Sequence, residues 1–236
     1  MPTEHTSGRG LLLVGTDTGV GKTTLAVGLL RLGHRRGFRI VPFKPVETGC
    51  SPHALDARRL WEAASIPALT PDEVAPFRFA PPVAPAVAAR LAGTALSPTT
   101  LFAARPLAAS GNALLVESAG GLLTPYSPGC TSATLATLFD IDVLLVAANR
   151  LGTINHTALA LGELRRLSLR LAGLVLVDLL PTRTLDQDHN AAEISALTGV
   201  SPLGTLRYCA RTDADTLADA VSADLALDRL FGGALL

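Results

Sequence analysis

The ten residues Gly15-Thr16-Asp17-Thr18-Gly19-Val20-Gly21-Lys22-Thr23-Thr24 constrain this chain more than any other stretch. They follow an apolar run at 11–14 that reads as a buried strand, and they open a segment whose apolar positions Leu25, Leu29, Leu30 and Leu32 mark one face of a helix. Strand, glycine-rich loop and helix in that order make a phosphate-binding turn. The glycines let backbone N–H groups line an anion nest, and the helix N-terminus adds partial positive charge. Lys22 reaches past the loop toward terminal phosphates, and Thr23 is placed to hold Mg²⁺. The common pattern G-x-x-x-x-G-K-[ST] needs a glycine where this chain has Thr16; Gly15 stands one position further back, so the loop is one residue longer. The bland alternative, a glycine-rich turn with a solvated lysine, is opposed by the Gly-Lys-Thr-Thr ending.

Of the 20 lysines and arginines, only Lys22 and Lys44 are lysine. A chain that otherwise uses arginine keeps a compact ammonium at two places, which is the cation that fits a crowded phosphate site. Lys44 follows an expected strand at 39–43 and so stands at the C-terminal edge of a parallel sheet, where ligands bind. Both lysines are catalytic candidates, against the alternative that they are incidental surface residues.

With 236 residues and 48% hydrophobic content, one domain over 10–236 with a buried core is expected, preceded by a flexible tail at 1–9. A formal net charge of zero leaves no footprint for nucleic acid or an anionic membrane. Cys50, Cys130 and Cys209 are too scattered for a disulfide framework or a zinc site. No apolar run is long enough to cross a bilayer, and the polar start lacks the core of a signal peptide, so a cytoplasmic protein is expected.

Further along, Asp56 opens an expected helix in 51–64, either as a helix-start acid or as a metal ligand. The proline-rich stretch 67–85 cannot be one long element and reads as an excursion toward the substrate. Helices are expected at 84–93 and, after the Ser97-Pro98 start signal, at 99–109. The run 113–121 places Glu117 at a strand end before Gly120 and Gly121, the place for an acid beside Mg²⁺; Asp178, ending the strand at 173–177, is its rival. After a strand at 142–148, Asn155 is expected to cap a helix running to about 170, with His156 as a polar neighbour or a general base. A helix at 186–197, a short strand at 203–206 and a C-terminal helix complete a three-layer α/β fold with a mainly parallel sheet flanked by helices.

The sets Gly15-Thr16-Asp17-Thr18-x-Val20-Gly21-Lys22-Thr23, Lys44-Pro45-Val46-x-Thr48-Gly49, Val116-Glu117-x-Ala119-Gly120-Gly121 and Leu151-Gly152-x-Ile154-Asn155-His156 resemble those of dethiobiotin synthetase, a P-loop family. The order and spacing match over nearly the whole chain, and the lengthened phosphate loop is the family's own. The resemblance implies an ATP-dependent ligase of biotin synthesis that joins 7,8-diaminopelargonic acid and CO₂ (or bicarbonate) into dethiobiotin. It implies Mg²⁺ on Thr23, Asp56 and Glu117, and nucleotide contacts from Gly19, Val20, Gly21, Lys22, Thr23, Thr24 and Gly120. Thr18, Lys22, Lys44 and Thr48 become the carbamate and phosphoryl-transfer residues. Thr48, Ser118, Leu151, Gly152 and Asn155 become the substrate residues, the last three acting across a homodimer interface. Val177, Leu206 and Arg207 fall at the family's base-binding positions. Ser118 stands where the family has glycine, Ala84 and Ala86 where many members have serine and histidine, and Val177 where an asparagine reads adenine. The rival classes are a partitioning-type switch ATPase, which carries an extra lysine early in the loop that 15–19 lacks, and a related amidoligase.

Overall fold

In chain order the computed structural model contains β1 (Gly10–Gly15), α1 (Lys22–Arg35), β2 (Ile40–Phe43), β3 (Val46–Thr48), α2 (Leu55–Ala64), α3 (Pro71–Val74), β4 (Phe77–Phe79), α4 (Pro85–Leu91) and α5 (Pro98–Ala103). Then come β5 (Ala113–Gly121), β6 (Pro125–Ser127), β7 (Cys130–Thr131), α6 (Ser132–Phe139), β8 (Asp142–Ala148), α7 (Thr153–Arg166), β9 (Leu171–Val177), α8 (Leu185–Thr198), β10 (Gly204–Leu206) and α9 (Ala214–Asp224). It describes residues 10–50, 53–110, 112–228 and 230–233; the tail at 1–9 lies outside them.

Six strands form one sheet in the order β10-β9-β8-β1-β5-β2, every neighbouring pair parallel. Parallel sheets covered on both faces read as unbroken apolar runs. β1 obeys this: Leu11, Leu12, Leu13 and Val14 are all buried, with β5 on one side and β8 on the other. Because the strands point the same way, β1, β5 and β2 deliver Gly15, Glu117 and Lys44 to one edge of the sheet. The leucine face of α1 is buried as its spacing requires, and Gly28 lets α9 approach closely: a Cβ there would lie 2.6 Å from Val221 Cγ2 and 2.8 Å from the Leu217 carbonyl oxygen. Among the described residues no helix is long and apolar enough to cross a membrane.

Three expectations on helix bounds need correction. The 99–109 helix ends at Ala103, and a 3₁₀ turn follows at Leu107–Ala109. Pro106 lacks the N–H that a continuing helix needs and keeps Arg105 out of the helical region. Asn155 is not a cap. The helix starts earlier, with Gly152 as N-cap at φ 90°, and leaves Asn155 inside the first turn. Its end lies at Arg166, since Ser168 turns left-handed at φ 54° and Arg170 pairs with Asp140 and Asp142 at the start of β8.

Candidate active site

The phosphate loop leaves β1 at Gly15 and passes through two left-handed glycines, Gly19 (φ 72°) and Gly21 (φ 96°), before α1 begins at Lys22. Space forbids a side chain at Gly21 as firmly as backbone angle does, because its Cβ would sit 2.7 Å from Val177 Cγ1. Lys22, 7% exposed, donates to the Asp17 carbonyl oxygen at 3.1 Å, back across its own loop. Burial pushes its pKa below the usual lysine value; Glu117 opposes that fall and Lys44 adds to it. An ammonium held beside a second cation in a cleft is poised for an anion.

Lys44 is the centre of the charge arrangement. Its Nζ donates to Asp56 Oδ2 at 2.5 Å and to Glu117 Oε1 at 2.7 Å, and the side chain is almost wholly buried. Burial disfavours its charge, but Glu117 and Asp56 outweigh that cost and raise the pKa above the usual range. Burial likewise pushes the Asp56 carboxyl up, yet the charge and hydrogen bond of Lys44 leave it below the ordinary value. Thr23 Oγ1 donates to Glu117 Oε1 at 2.8 Å, while Glu117 Oε2 is buried with no partner. Thr23, Asp56 and Glu117 are thus an all-oxygen set around an acceptor with unused lone pairs, the donor chemistry of a hard cation such as Mg²⁺. Among the described residues no three His, Cys, Asp or Glu side chains converge, so the set fits an ion whose other ligands are phosphate oxygens and water.

Around this centre lies a cleft of about 700 Å³ that brings together Thr18, Gly19, Gly21, Lys22, Thr23 and Thr24 with Lys44, Thr48, Asp56, Glu117, Ser118 and Gly120. The Ser118 hydroxyl is buried and unpartnered. Beside it, fully buried Tyr126 accepts the Ala119 N–H at 2.8 Å and pins the end of β5. The proline-rich excursion supplies a wall, from Pro82 to Pro85, as expected of a segment facing a ligand.

Other expected residues stand apart. Val20 is buried, so only its backbone can face a ligand. Val177 is buried against Gly21, and Leu206 is buried with its carbonyl oxygen accepting the Asp178 N–H. Arg207 is exposed and paired with Asp224. Leu179 reaches the cleft in their place. Leu151, Gly152 and Asn155 are exposed outside this cleft, near a second one of about 480 Å³ that includes Asp17, Leu123 and His156. Of the two candidate acids, Glu117 reaches Thr23, whereas Asp178 accepts from Asn149 Nδ2 in a separate buried amide cluster with Gln187 and Asn190. Arg59 also lines the cleft and has no motif; its spacing of three from Asp56, on one face of α2, is the signal that marks it.

An AAA domain family matches residues 9–216. The ATP-dependent dethiobiotin synthetase BioD of Anaeromyxobacter dehalogenans strain 2CP-1 is 45% identical over 203 residues, which cover 85% of this chain and 90% of the relative. The chain belongs to the dethiobiotin synthetase family. The BioD of Anaeromyxobacter sp. strain Fw109-5 is 43% identical with the same coverage, and that of Pseudomonas aeruginosa strain UCBPP-PA14 is 41% identical over 69% of this chain and 74% of its own. Among solved structures, the MinC:MinD cell division protein complex of Aquifex aeolicus aligns with a TM-score of 0.54 at 13% identity, covering 89% of this chain and 86% of that one. At that identity it shows the fold alone, the P-loop α/β architecture on which this dethiobiotin synthetase family builds its site.

Proposed function

We propose that the chain is an ATP-dependent dethiobiotin synthetase, acting as one domain over 10–236 and joining 7,8-diaminopelargonic acid and CO₂ to dethiobiotin with release of ADP and phosphate. One amine of the substrate takes CO₂ as a carbamate, the carbamate oxygen attacks the γ-phosphate, and the second amine closes the ureido ring as phosphate leaves. The observation that carries the reading is Lys44, a buried ammonium between Asp56 and Glu117 at the mouth of a phosphate loop that holds Lys22. Each step gathers negative charge, and a preorganised donor removed from such a site typically costs about 2.7–4 kcal/mol.

Backbone N–H groups at Gly19, Val20, Gly21, Thr23 and Thr24 receive the phosphates, with Gly120 opposite. Lys22 takes the terminal phosphates, and Lys44 with Thr18 and Thr48 orients the carbamate. Thr23, Asp56 and Glu117 would hold Mg²⁺, which supplies charge neutralisation on the phosphate oxygens when bound. Ser118 meets the substrate beside Lys44. Leu151, Gly152 and Asn155, exposed at the start of α7, bind the substrate's carboxylate tail from the partner subunit of a homodimer; Leu151 at 85% exposed supports a surface that another chain covers. Free thiols at Cys50, Cys130 and Cys209 support a cytoplasmic setting.

Phosphate release should depend on diaminopelargonic acid and bicarbonate together, with one dethiobiotin per phosphate. Release that ignores both would mark a switch ATPase and end the proposal.

A further inference from the structure

Glu47 stands in β3, three residues after Lys44, 5% exposed, and makes no salt bridge among the described residues. Both of its oxygens turn to the first turn of α2. Oε1 accepts the Asp56 N–H at 3.1 Å and Oε2 the Ala57 N–H at 2.9 Å. The helix needs them, because its own N-cap residue, Ala54, offers no side-chain acceptor and the first-turn N–H groups have no partner within a helix. Glu47 therefore caps α2 from another element, with the sign of charge that a helix N-terminus favours.

The bond does more than close a helix end. Asp56 is gripped at its backbone by Glu47 and at its carboxylate by Lys44, and Lys44 and Glu47 belong to one short segment. The result is a closed ring: Lys44, Pro45, Val46, Glu47, Asp56 and back to Lys44. The rest of α2 is moored independently through buried Leu60, Ala63 and Ala64 and through the Trp61 Nε1 bond to the Leu69 carbonyl oxygen. Losing the Glu47 carboxylate thus frees the first turn and Asp56 without undocking the helix. We propose that Glu47 is a positioning residue, which touches no ligand and sets the place of Asp56, and through it Lys44, for the phosphoryl transfer; this rests on the functional reading above.

The test is a double-mutant cycle of Glu47→Ala with Asp56→Asn, with Glu47→Gln as the conservative variant. Two readouts are taken: kcat and KM for ATP in the coupled reaction, and the increment that Mg²⁺ adds to the melting-temperature rise caused by ADP. Glu47→Ala should lower kcat roughly 10- to 100-fold with KM for ATP within about threefold, since the phosphate loop holds the nucleotide without α2. Glu47→Gln, which keeps one acceptor, should fall between it and wild type. The Mg²⁺ increment should shrink in Glu47→Ala as in Asp56→Asn, and Glu47→Ala should change neither readout further when Asp56 is already asparagine. A kcat within twofold of wild type, or equal effects of Glu47→Ala in both backgrounds, would overturn the proposal. If the wild-type chain shows no diamine-dependent turnover, the functional reading fails instead, and the melting cycle still decides whether Glu47 acts through Asp56.

Discussion

Lys44→Met tests the charge arrangement most directly, since methionine keeps the length of the stem and removes the ammonium. Glu117 is 1% exposed at its side chain and would keep only the Thr23 hydroxyl, its Oε2 having no partner even in the intact protein. Asp56, with a side chain 37% exposed, can turn to water and contributes little to the cost. Removing one partner from a buried pair leaves an uncompensated charge and costs about 3–5 kcal/mol. For a chain of this size each kcal/mol moves the melting temperature by roughly 2–4 °C, so Lys44→Met without nucleotide or metal should melt about 6–20 °C below wild type. The same account requires that neutralising the stranded acid repair the damage. Lys44→Met with Glu117→Gln should recover more than half of the loss although it is inactive, as scanning calorimetry on the three chains would show. A Lys44→Met chain melting within 2 °C of wild type, or a double variant no more stable than the single, would refute the reasoning.

Lys22→Arg and Lys44→Arg should each abolish turnover with charge retained, because a planar guanidinium fits neither the loop that folds back on Lys22, whose ammonium reaches the Asp17 carbonyl oxygen at 3.1 Å, nor the gap in which Lys44 has oxygens at 2.5 and 2.7 Å; near wild-type kcat in Lys44→Arg would remove that residue from the chemistry. Mixing inactive Lys22→Ala and Asn155→Ala chains should restore activity, one site in each mixed dimer keeping both residues, whereas verified mixed dimers without activity would count against shared sites. CTP, GTP or UTP should support turnover within roughly tenfold to a hundredfold of ATP, since Val177 is packed under the loop and Leu179 offers the base only an apolar wall; an ATP preference above about a thousandfold in kcat/KM would show a base reader elsewhere. Burial pushes the Tyr126 hydroxyl up to about 12 from 10.0, so its neutral form contributes stability below pH 10 that is lost as pH rises toward 12. By pH 11 denaturant titrations should show wild type losing roughly 1–1.5 kcal/mol relative to Tyr126→Phe, and parallel pH profiles for the two chains would contradict this.

What could be read in the sequence was local. The apolar run at 11–14, the glycines and the Gly-Lys-Thr-Thr ending are contiguous, so strand, loop and helix follow from neighbours alone, and the scarcity of lysine marked Lys44 without any fold. Glu117 could be separated from Asp178 only by the glycines after it; the structure makes the distinction by putting Thr23 against one and Asn149 against the other. Contacts between distant residues were not legible. That Glu47 caps a helix beginning at residue 55 depends on how β3 lies beside α2, and the one trace in sequence is an alanine where a cap belongs. Asn155 shows the opposite failure: a good capping residue was preceded by a glycine able to turn left-handed, and the helix began there. The burial of Val177 and Leu206 follows from packing against Gly21 and from strand register, which no single stretch encodes.

The approach of α9 to Gly28 bears on how this protein comes into being. β1 draws both of its neighbours from residues 113–148, and α1 rests on a helix that is not complete until residue 224. The ATP loop therefore precedes in the chain every element that covers it. Until those later residues are made, Leu11 to Val14 and the leucine face at 25–32 lack the neighbours that bury them, and contacts of such long sequence separation slow folding while apolar surface stays open to aggregation. A chain cut short just before residue 214 would therefore keep all six strands of the sheet and lose the helix that covers α1 at Gly28, so a stop codon there should cost the phosphate loop its support although every residue of the cleft is still made.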